Sequence, residues 1–340
     1  MSASVYAAKF LGLIKTLRNP FFFIYRLFHY LNRFVPKRWA ICIYKMNISD
    51  YQREGVRDYL LETYDGSGQA VHPDIACWKN KYWLTITPYP YGMEEYENPC
   101  IYSGNSLDSL VVPKGPIAVQ HKHTQGTHLS DPCFAIDGNQ LYCYYRESER
   151  KGELEENTIW GMWYNESENK WSEPEMIMDS VDDKILSPAM VYKNPGELTT
   201  YFVSSLNGDF SLVSTKSKGA ITTNITGHKI YGMPEDYDLW HIGISMGRDI
   251  FSEADGSIEL WGLFLAKAKG RKGDMKLFEA RNNGLDADWN IINEIRMPDE
   301  IKDFIAFPYK SCYIPKQKGK VLLSFRDKKS RNRMIIINNN

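Results

Sequence analysis

Short apolar runs, each closed by a turn and answered by a second apolar run, recur five times along the chain, with polar sequence between them. The clearest copy is Asp131-Pro132-Cys133-Phe134-Ala135-Ile136, a tight turn at Asp137-Gly138, then Leu141-Tyr142-Cys143-Tyr144-Tyr145-Arg146. Asp-Gly between two such runs is a strong hairpin signal. The same grammar appears in His72 to Trp78 with Tyr82 to Thr87, and in Ser187 to Tyr192 with Leu198 to Ser204. It returns in His241 to Met246 with Ile258 to Leu265, and in Tyr309 to Ile314 with Lys320 to Phe325. Successive copies begin 59, 56, 54 and 68 residues apart. Each has a candidate third strand: Asn98 to Gly104, Thr158 to Tyr164, Phe210 to Thr215, Met275 to Arg281 and Arg333 to Asn338.

One such copy cannot bury both faces of its small sheet, so copies must stack on their neighbours around an axis. The pattern therefore predicts an all-β fold, a five-bladed β-propeller over residues 50–340. A generic β-sandwich or barrel is the competing architecture, since its hairpins alternate in the same way.

Charge separates a second region. Residues 1–49 carry Lys9, Lys15, Arg18, Arg26, Arg33, Lys37, Arg38 and Lys45 and no acid. Aromatic and aliphatic residues from Val5 to Phe34 are interspersed with these bases. The spacing predicts an amphipathic helical segment, broken near Pro20 and Pro36, that lies on an anionic membrane surface through residues 5–38. Packing against the propeller is the plainer reading, and no uncharged run approaches the roughly 20 residues that span a bilayer. The stretch around Asn19-Pro20 and Tyr30-Leu31-Asn32-Arg33 is similar to N-terminal segments of enzymes from bacterial surface-polysaccharide gene clusters. That similarity implies a cytoplasmic protein, peripheral on the inner face of the membrane.

The remaining sequence is acidic, 33 Lys and Arg against 42 Asp and Glu, so nucleic acid is not an expected partner. Six cysteines stand singly, with no spacing that suggests a metal site, and isolated thiols fit a reducing compartment. His121, His123 and His128 share a loop but match no standard ligand spacing.

In a propeller the first residues of the innermost strands converge at one mouth of the channel, the usual geometry of a binding or active site. Here they are His72 and Asp74, Asp131, Ser187, Trp240 and His241, and Tyr309 and Lys310. Asp74 lies two residues beyond His72, so period-two alternation predicts that both face the same way. Glu97 follows a Pro-rich loop, Thr87-Pro88-Tyr89-Pro90-Tyr91-Gly92, and leans over the same mouth. Arg146 and Arg326 each end a second strand and could bind an anionic group, although a salt bridge to the next residue, Glu147 or Asp327, is the ordinary expectation.

With these residues in place, the repeat resembles the five-bladed propeller glycosidases of family 43 and the arabinanases. The resemblance implies a first-blade Asp-Pro base, a second-blade Asp-Pro carboxylate, a third-blade Glu-Pro acid and a later channel histidine. Asp131 matches the second of these and His241 the last. The chain departs at the other two, with His72-Pro73-Asp74-Ile75 in the first blade and Leu186-Ser187-Pro188 in the third. By analogy alone the channel could hold Ca²⁺; no other cofactor is expected.

Glycoside hydrolysis uses one protonated carboxyl and a second carboxylate about 5 to 10 Å apart. The expected function is a carbohydrate-active propeller, glycoside hydrolase or transglycosylase-like, acting on oligo- or polysaccharide in bacterial surface-polysaccharide metabolism, with Asp131, Asp74 and Glu97 as candidate catalytic groups. His72, Ser187, Trp240, His241, Tyr309, Lys310, Arg146 and Arg326 are the candidate substrate contacts. The alternative is a catalytically inactive glycan-binding or scaffold propeller; a weaker one is a phosphorylase-like site that needs Lys310, Arg146 and Arg326 to converge.

Overall fold

Five antiparallel sheets follow one another in chain order and close into a ring, a five-bladed β-propeller. The computed structural model describes Tyr59 and residues 61–339, apart from 93, 112–126, 152–153, 181–184, 206–209, 219–220, 223–224, 247–257, 272 and 304. The expected helical, membrane-facing segment at 1–49 lies outside the described residues, as do His121 and His123. No helix among the described residues is long and apolar enough to cross a membrane.

Blade 1 is Ala70–Trp78, Lys81–Pro88 and Cys100–Gly104. Blade 2 is His128–Asp137, Gln140–Lys151 and Leu154–Asn165, edged by Lys170–Trp171 and Glu175–Ser180. Blade 3 is Ile185–Asn194, Glu197–Ser204 and Ser211–Lys218, with two short strands outside. Blade 4 is Tyr237–Met246, Leu260–Ala268, Met275–Asn282 and Trp289–Glu294, the last paired in parallel with Ile230–Tyr231.

Blade 5 departs from expectation. Its inner strand is two pieces, Ile305–Pro308 and Cys312–Tyr313, both paired with Lys320–Asp327, while Asn332–Asn338 lies outside. The single predicted strand from Tyr309 to Ile314 is therefore interrupted at its own first residues.

Turn chemistry sets the hairpins. Lys79 and Asn80 join Trp78 to Lys81 with φ of 49° and 60°, the two positive values that let a two-residue turn match the twist of its strands.

Apolar residues from adjacent blades form a cluster at every junction. Trp78, Trp83, Phe134 and Cys143 join blades 1 and 2, and Cys133, Tyr144, Met190 and Phe202 join blades 2 and 3. Leu186, Tyr201, Ile242 and Phe264 join 3 and 4, and Leu263, Leu265, Val321 and Leu323 join 4 and 5. Ile75, Leu84, Leu322 and Met334 close blade 5 on blade 1. Polar bonds seal that last junction: the Tyr59 amide donates to the Met334 carbonyl at 2.7 Å, and Gln69 Oε1 accepts from the Tyr91 and Asn332 amides, each at 3.1 Å.

Inner strands approach closely around the axis. A Cβ on Gly243 of blade 4 would lie 2.6 Å from the Ser311 carbonyl oxygen of blade 5. Because backbone cannot swing aside as a side-chain tip can, Gly243→Ala is expected to destabilise by about 1 to 3 kcal/mol, read by urea denaturation; an unchanged midpoint would mean that the two strands move apart freely.

Candidate active site

All five inner strands break register where the polar ring was expected. The ladder skips between Val71 and Asp74, between Ser130 and Cys133, between Leu186 and Ala189, between Leu239 and His241, and between Pro308 and Cys312. In the first three blades the bulged residue is left-handed: His72, Asp131 and Ser187 have φ of 55°, 52° and 51°. Each precedes a proline, which has no N–H to give the ladder and so costs least at a bulge. A left-handed non-glycine residue costs on the order of 1 kcal/mol or more, and here it turns the His72 and Asp131 side chains toward one point, which His241 also faces.

Asp131 is that point, with no exposed surface. Its Oδ2 accepts from Arg146 Nε at 3.2 Å and from the Ser187 amide at 3.4 Å. Its Oδ1 faces His241 Nδ1 at 3.2 Å and His72 Nε2 at 3.6 Å. Burial alone would push the carboxyl up, but His72, His241 and Arg146 together hold it well below the usual carboxylate range. Arg146 is itself fixed, donating to Asn157 Oδ1 at 2.8 Å and to Ser130 Oγ at 2.9 Å.

Thr87 sets the tautomer of His72. The Thr87 hydroxyl donates to the Val71 carbonyl at 3.5 Å, so it accepts from His72 Nδ1, 3.0 Å away. Burial foremost lowers the pKa of His72 well below the ordinary histidine value, and the Asp131 charge opposes that shift. His72 Nε2 and His241 Nδ1 both face Asp131 Oδ1, and neither Asp131 Oδ1 nor His241 Nδ1 makes a hydrogen bond of good geometry. One donor atom from each of His72, Asp131 and His241 lies within 4.8 Å of the others. Two imidazoles and one carboxylate whose ligand atoms converge fit a divalent cation. Sequence spacing did not single out this set, since its members come from three blades; the signal that finds it is the shared repeat position.

Glu97 is 4% exposed, and its carbonyl accepts from the Leu129 amide of blade 2 at 3.0 Å. Burial foremost, then the Asp131 charge, raises its carboxyl well above the ordinary glutamate value. His128 Nε2 lies 3.8 Å from Glu97 Oε2. The rings of Tyr309 and Tyr89 stand edge to face 6.4 Å apart, and Tyr309 meets His72 at 6.2 Å.

Other expected residues fall elsewhere. Asp74 does not share the direction of His72, because the bulge interrupts strand alternation; its Oδ2 accepts from the Phe134 amide of blade 2 at 2.6 Å. Burial raises its pKa to about 6. Ser187 Oγ donates to the Ile242 carbonyl at 2.9 Å, away from Asp131. Trp240 lies beside His241, but Lys267 Nζ covers its ring at 4.8 Å and Phe210 packs on it at 5.2 Å, which leaves no open stacking face on that side.

Arg146 and Arg326 do not pair with the acids that follow them, as adjacent strand residues point to opposite faces. Glu147 accepts instead from Trp160 Nε1 at 2.9 Å, and Asp327 from Arg331 Nε at 2.7 Å. Arg326 donates to the Tyr91 carbonyl at 3.1 Å and bonds the Tyr309 hydroxyl, holding the loop of blade 1 against blade 5. Lys310 is buried near the axis. The three bases of a phosphorylase-like site thus have different employment, Arg146 and Arg326 being committed to protein groups.

No family model matches the sequence, and no curated protein matches it. Solved structures match the fold. An N-acetylgalactosamine deacetylase from F. plautii, determined with blood group B trisaccharide, superposes with a TM-score of 0.60 at 15% identity, over 83% of this chain and 90% of its own. An α-L-arabinofuranosidase from Lactobacillus brevis gives 0.55 at 10% identity, over 79% and 90%. A family 43 endo-arabinanase from Bacillus licheniformis gives 0.51 at 11% identity, over 79% and 93%. The chain has the five-bladed propeller fold found in family 43 glycoside hydrolases and in the deacetylase.

Proposed function

We propose that the chain is a carbohydrate-active hydrolase that removes an acyl group from an amino sugar, with His72, Asp131 and His241 holding a divalent cation and Glu97 carrying the proton. The observation that carries this reading is the convergence of one ligand atom each from His72, Asp131 and His241 within 4.8 Å of one another. The N-acetylgalactosamine deacetylase from F. plautii, which has the same fold, supports it. A divalent cation held there supplies Lewis-acid polarisation of a carbonyl.

The chain's own groups do the rest. Arg146 and the Ser187 amide fix Asp131 Oδ2, so that Oδ1 stays aimed at the two imidazoles. Thr87 holds His72 in the tautomer that presents Nε2. As water adds to the acyl carbon and the C–N bond breaks, Glu97, whose carboxyl burial raises, gives its proton to the leaving nitrogen and takes up in its place the proton that the added water sheds. Tyr89 and Tyr309 wall the sugar.

Glycosidic hydrolysis is the second reading, favoured by Glu97 standing over Asp131 as a raised carboxyl. Against it, Ser187 replaces the expected acid, and both oxygens of Asp131 are directed at nitrogen partners. The experiment is incubation of the metal-free and metal-reconstituted protein with N-acetylated oligosaccharides and bacterial surface glycans, reading acetate and cleaved sugars by mass spectrometry. Acetate release that disappears on chelation and returns with divalent metal is the expected result. Shortened glycans without acetate would replace it with the glycosidase, and bound glycan with no product would leave the glycan-binding alternative.

A further inference from the structure

Tyr91, in the loop after the second strand of blade 1, is buried and left-handed, with φ of 53°. A bulky residue stays in that region only where its surroundings over-determine it, and such places cluster at functional sites and ligand clamps. Here four hydrogen bonds do so. Gln69 accepts from the Tyr89 amide through its carbonyl at 3.0 Å and from the Tyr91 amide through Oε1 at 3.1 Å. Asn332 Nδ2 donates to the Tyr89 carbonyl, and Arg326 Nη2 donates to the Tyr91 carbonyl at 3.1 Å. The last two donors belong to blade 5.

Arg326 also stands beside Tyr309. It pairs with Phe307 in the ladder, and the Phe307 ring packs on Tyr309 at 5.5 Å. Its guanidinium occupies the space over Gly92, where a Cβ would come within 2.8 Å of Nη1. Arg326 therefore joins two pieces of one wall, the blade 1 loop that carries Tyr89 and the blade 5 segment that carries Tyr309. The two rings meet at 88° with centroids 6.4 Å apart, and both are half-buried, so each keeps surface for a ligand.

We propose that Arg326 is a positioning residue of the sugar site, fixing through the Tyr91 carbonyl the corner that Tyr89 and Tyr309 present to a sugar ring. This rests on the mouth being a sugar site and adds how its aromatic wall is held. A wall ordered before binding gives up less freedom when the ligand arrives, and that saving appears as affinity.

The test compares the full wild-type chain with Arg326→Met and Gly92→Ala. The second variant reaches the same bond from the other side: its methyl must push the guanidinium off the Tyr91 carbonyl while the charge stays in place. Amide exchange of residues 89–92, read by mass spectrometry, is expected to speed up by about 10-fold in both, the worth of one hydrogen bond to a charged group. Calorimetric affinity for N-acetylgalactosamine should fall by about 10-fold in the same two proteins. Should Arg326→Met fail to fold, Gly92→Ala carries the test. Unaltered exchange, or a loosened loop whose sugar affinity stays within about twofold of wild type, overturns the proposal, as does a wild type that binds no sugar. Both readouts are independent of turnover, so sugar binding without acetate release counts against the proposed hydrolysis and leaves this result intact.

Discussion

Asp131→Asn is expected to abolish turnover and to destabilise the propeller by about 3 kcal/mol. The carboxylate is fully buried against Arg146, His72, His241 and the Ser187 amide. Removing its charge leaves the Arg146 guanidinium buried without its counter-ion, a change that typically costs about 3 to 5 kcal/mol; asparagine keeps the shape and one acceptor and falls at the low end. The sign of the pH dependence follows. With its folded pKa held well below the ordinary value, Asp131 contributes stability above the unfolded carboxylate pKa of about 4, and that contribution fades as pH falls through the folded value. Urea denaturation between pH 7 and pH 3 should show the wild-type advantage shrinking with acidification. Turnover in Asp131→Asn within tenfold of wild type would remove Asp131 from the reaction.

Glu97→Gln should separate chemistry from stability in the opposite way. A positioned proton donor contributes about 10²- to 10⁴-fold, so acyl hydrolysis is expected to fall by that amount. Stability at neutral pH should be unchanged or higher. A carboxyl whose folded pKa is raised contributes stability below its unfolded pKa and loses it as pH rises through the folded one, and glutamine removes that cost. Wild-type activity should decline as pH climbs through the raised pKa, and the residual activity of Glu97→Gln should lack that limb. An unaltered pH profile in the variant would mean that another group carries the proton.

Part of this site is legible in one dimension. The five repeats name the residues at the channel mouth, because a propeller places equivalent positions of every blade around one axis. His72, Asp131, Ser187, His241, Tyr309 and Lys310 come from that rule. Their partners do not. Thr87, Ser130 and Asn157 orient His72 and Arg146 from neighbouring strands, at separations that no local pattern marks. The prediction for Asp74 erred because strand alternation holds only while the ladder keeps register, and the pairing of Arg146 and Arg326 erred by setting sequence adjacency above strand geometry.

The sequence by itself determined the blade count, the hairpin turns and the ring of polar residues, since alternation, Asp-Gly signals and repeat length are local properties of the chain. Only the tertiary structure decided what that ring is. Bulges with left-handed His72 and Asp131 bring those two side chains together, and the break in the inner strand of blade 5 leaves Lys310 buried in its gap. Burial and the neighbouring charges then bias the protonation states, lowering the pKa of Asp131 and of His72 and raising that of Glu97. Those states depend on distances between blades and on exclusion of water, and neither quantity exists until the ring has closed.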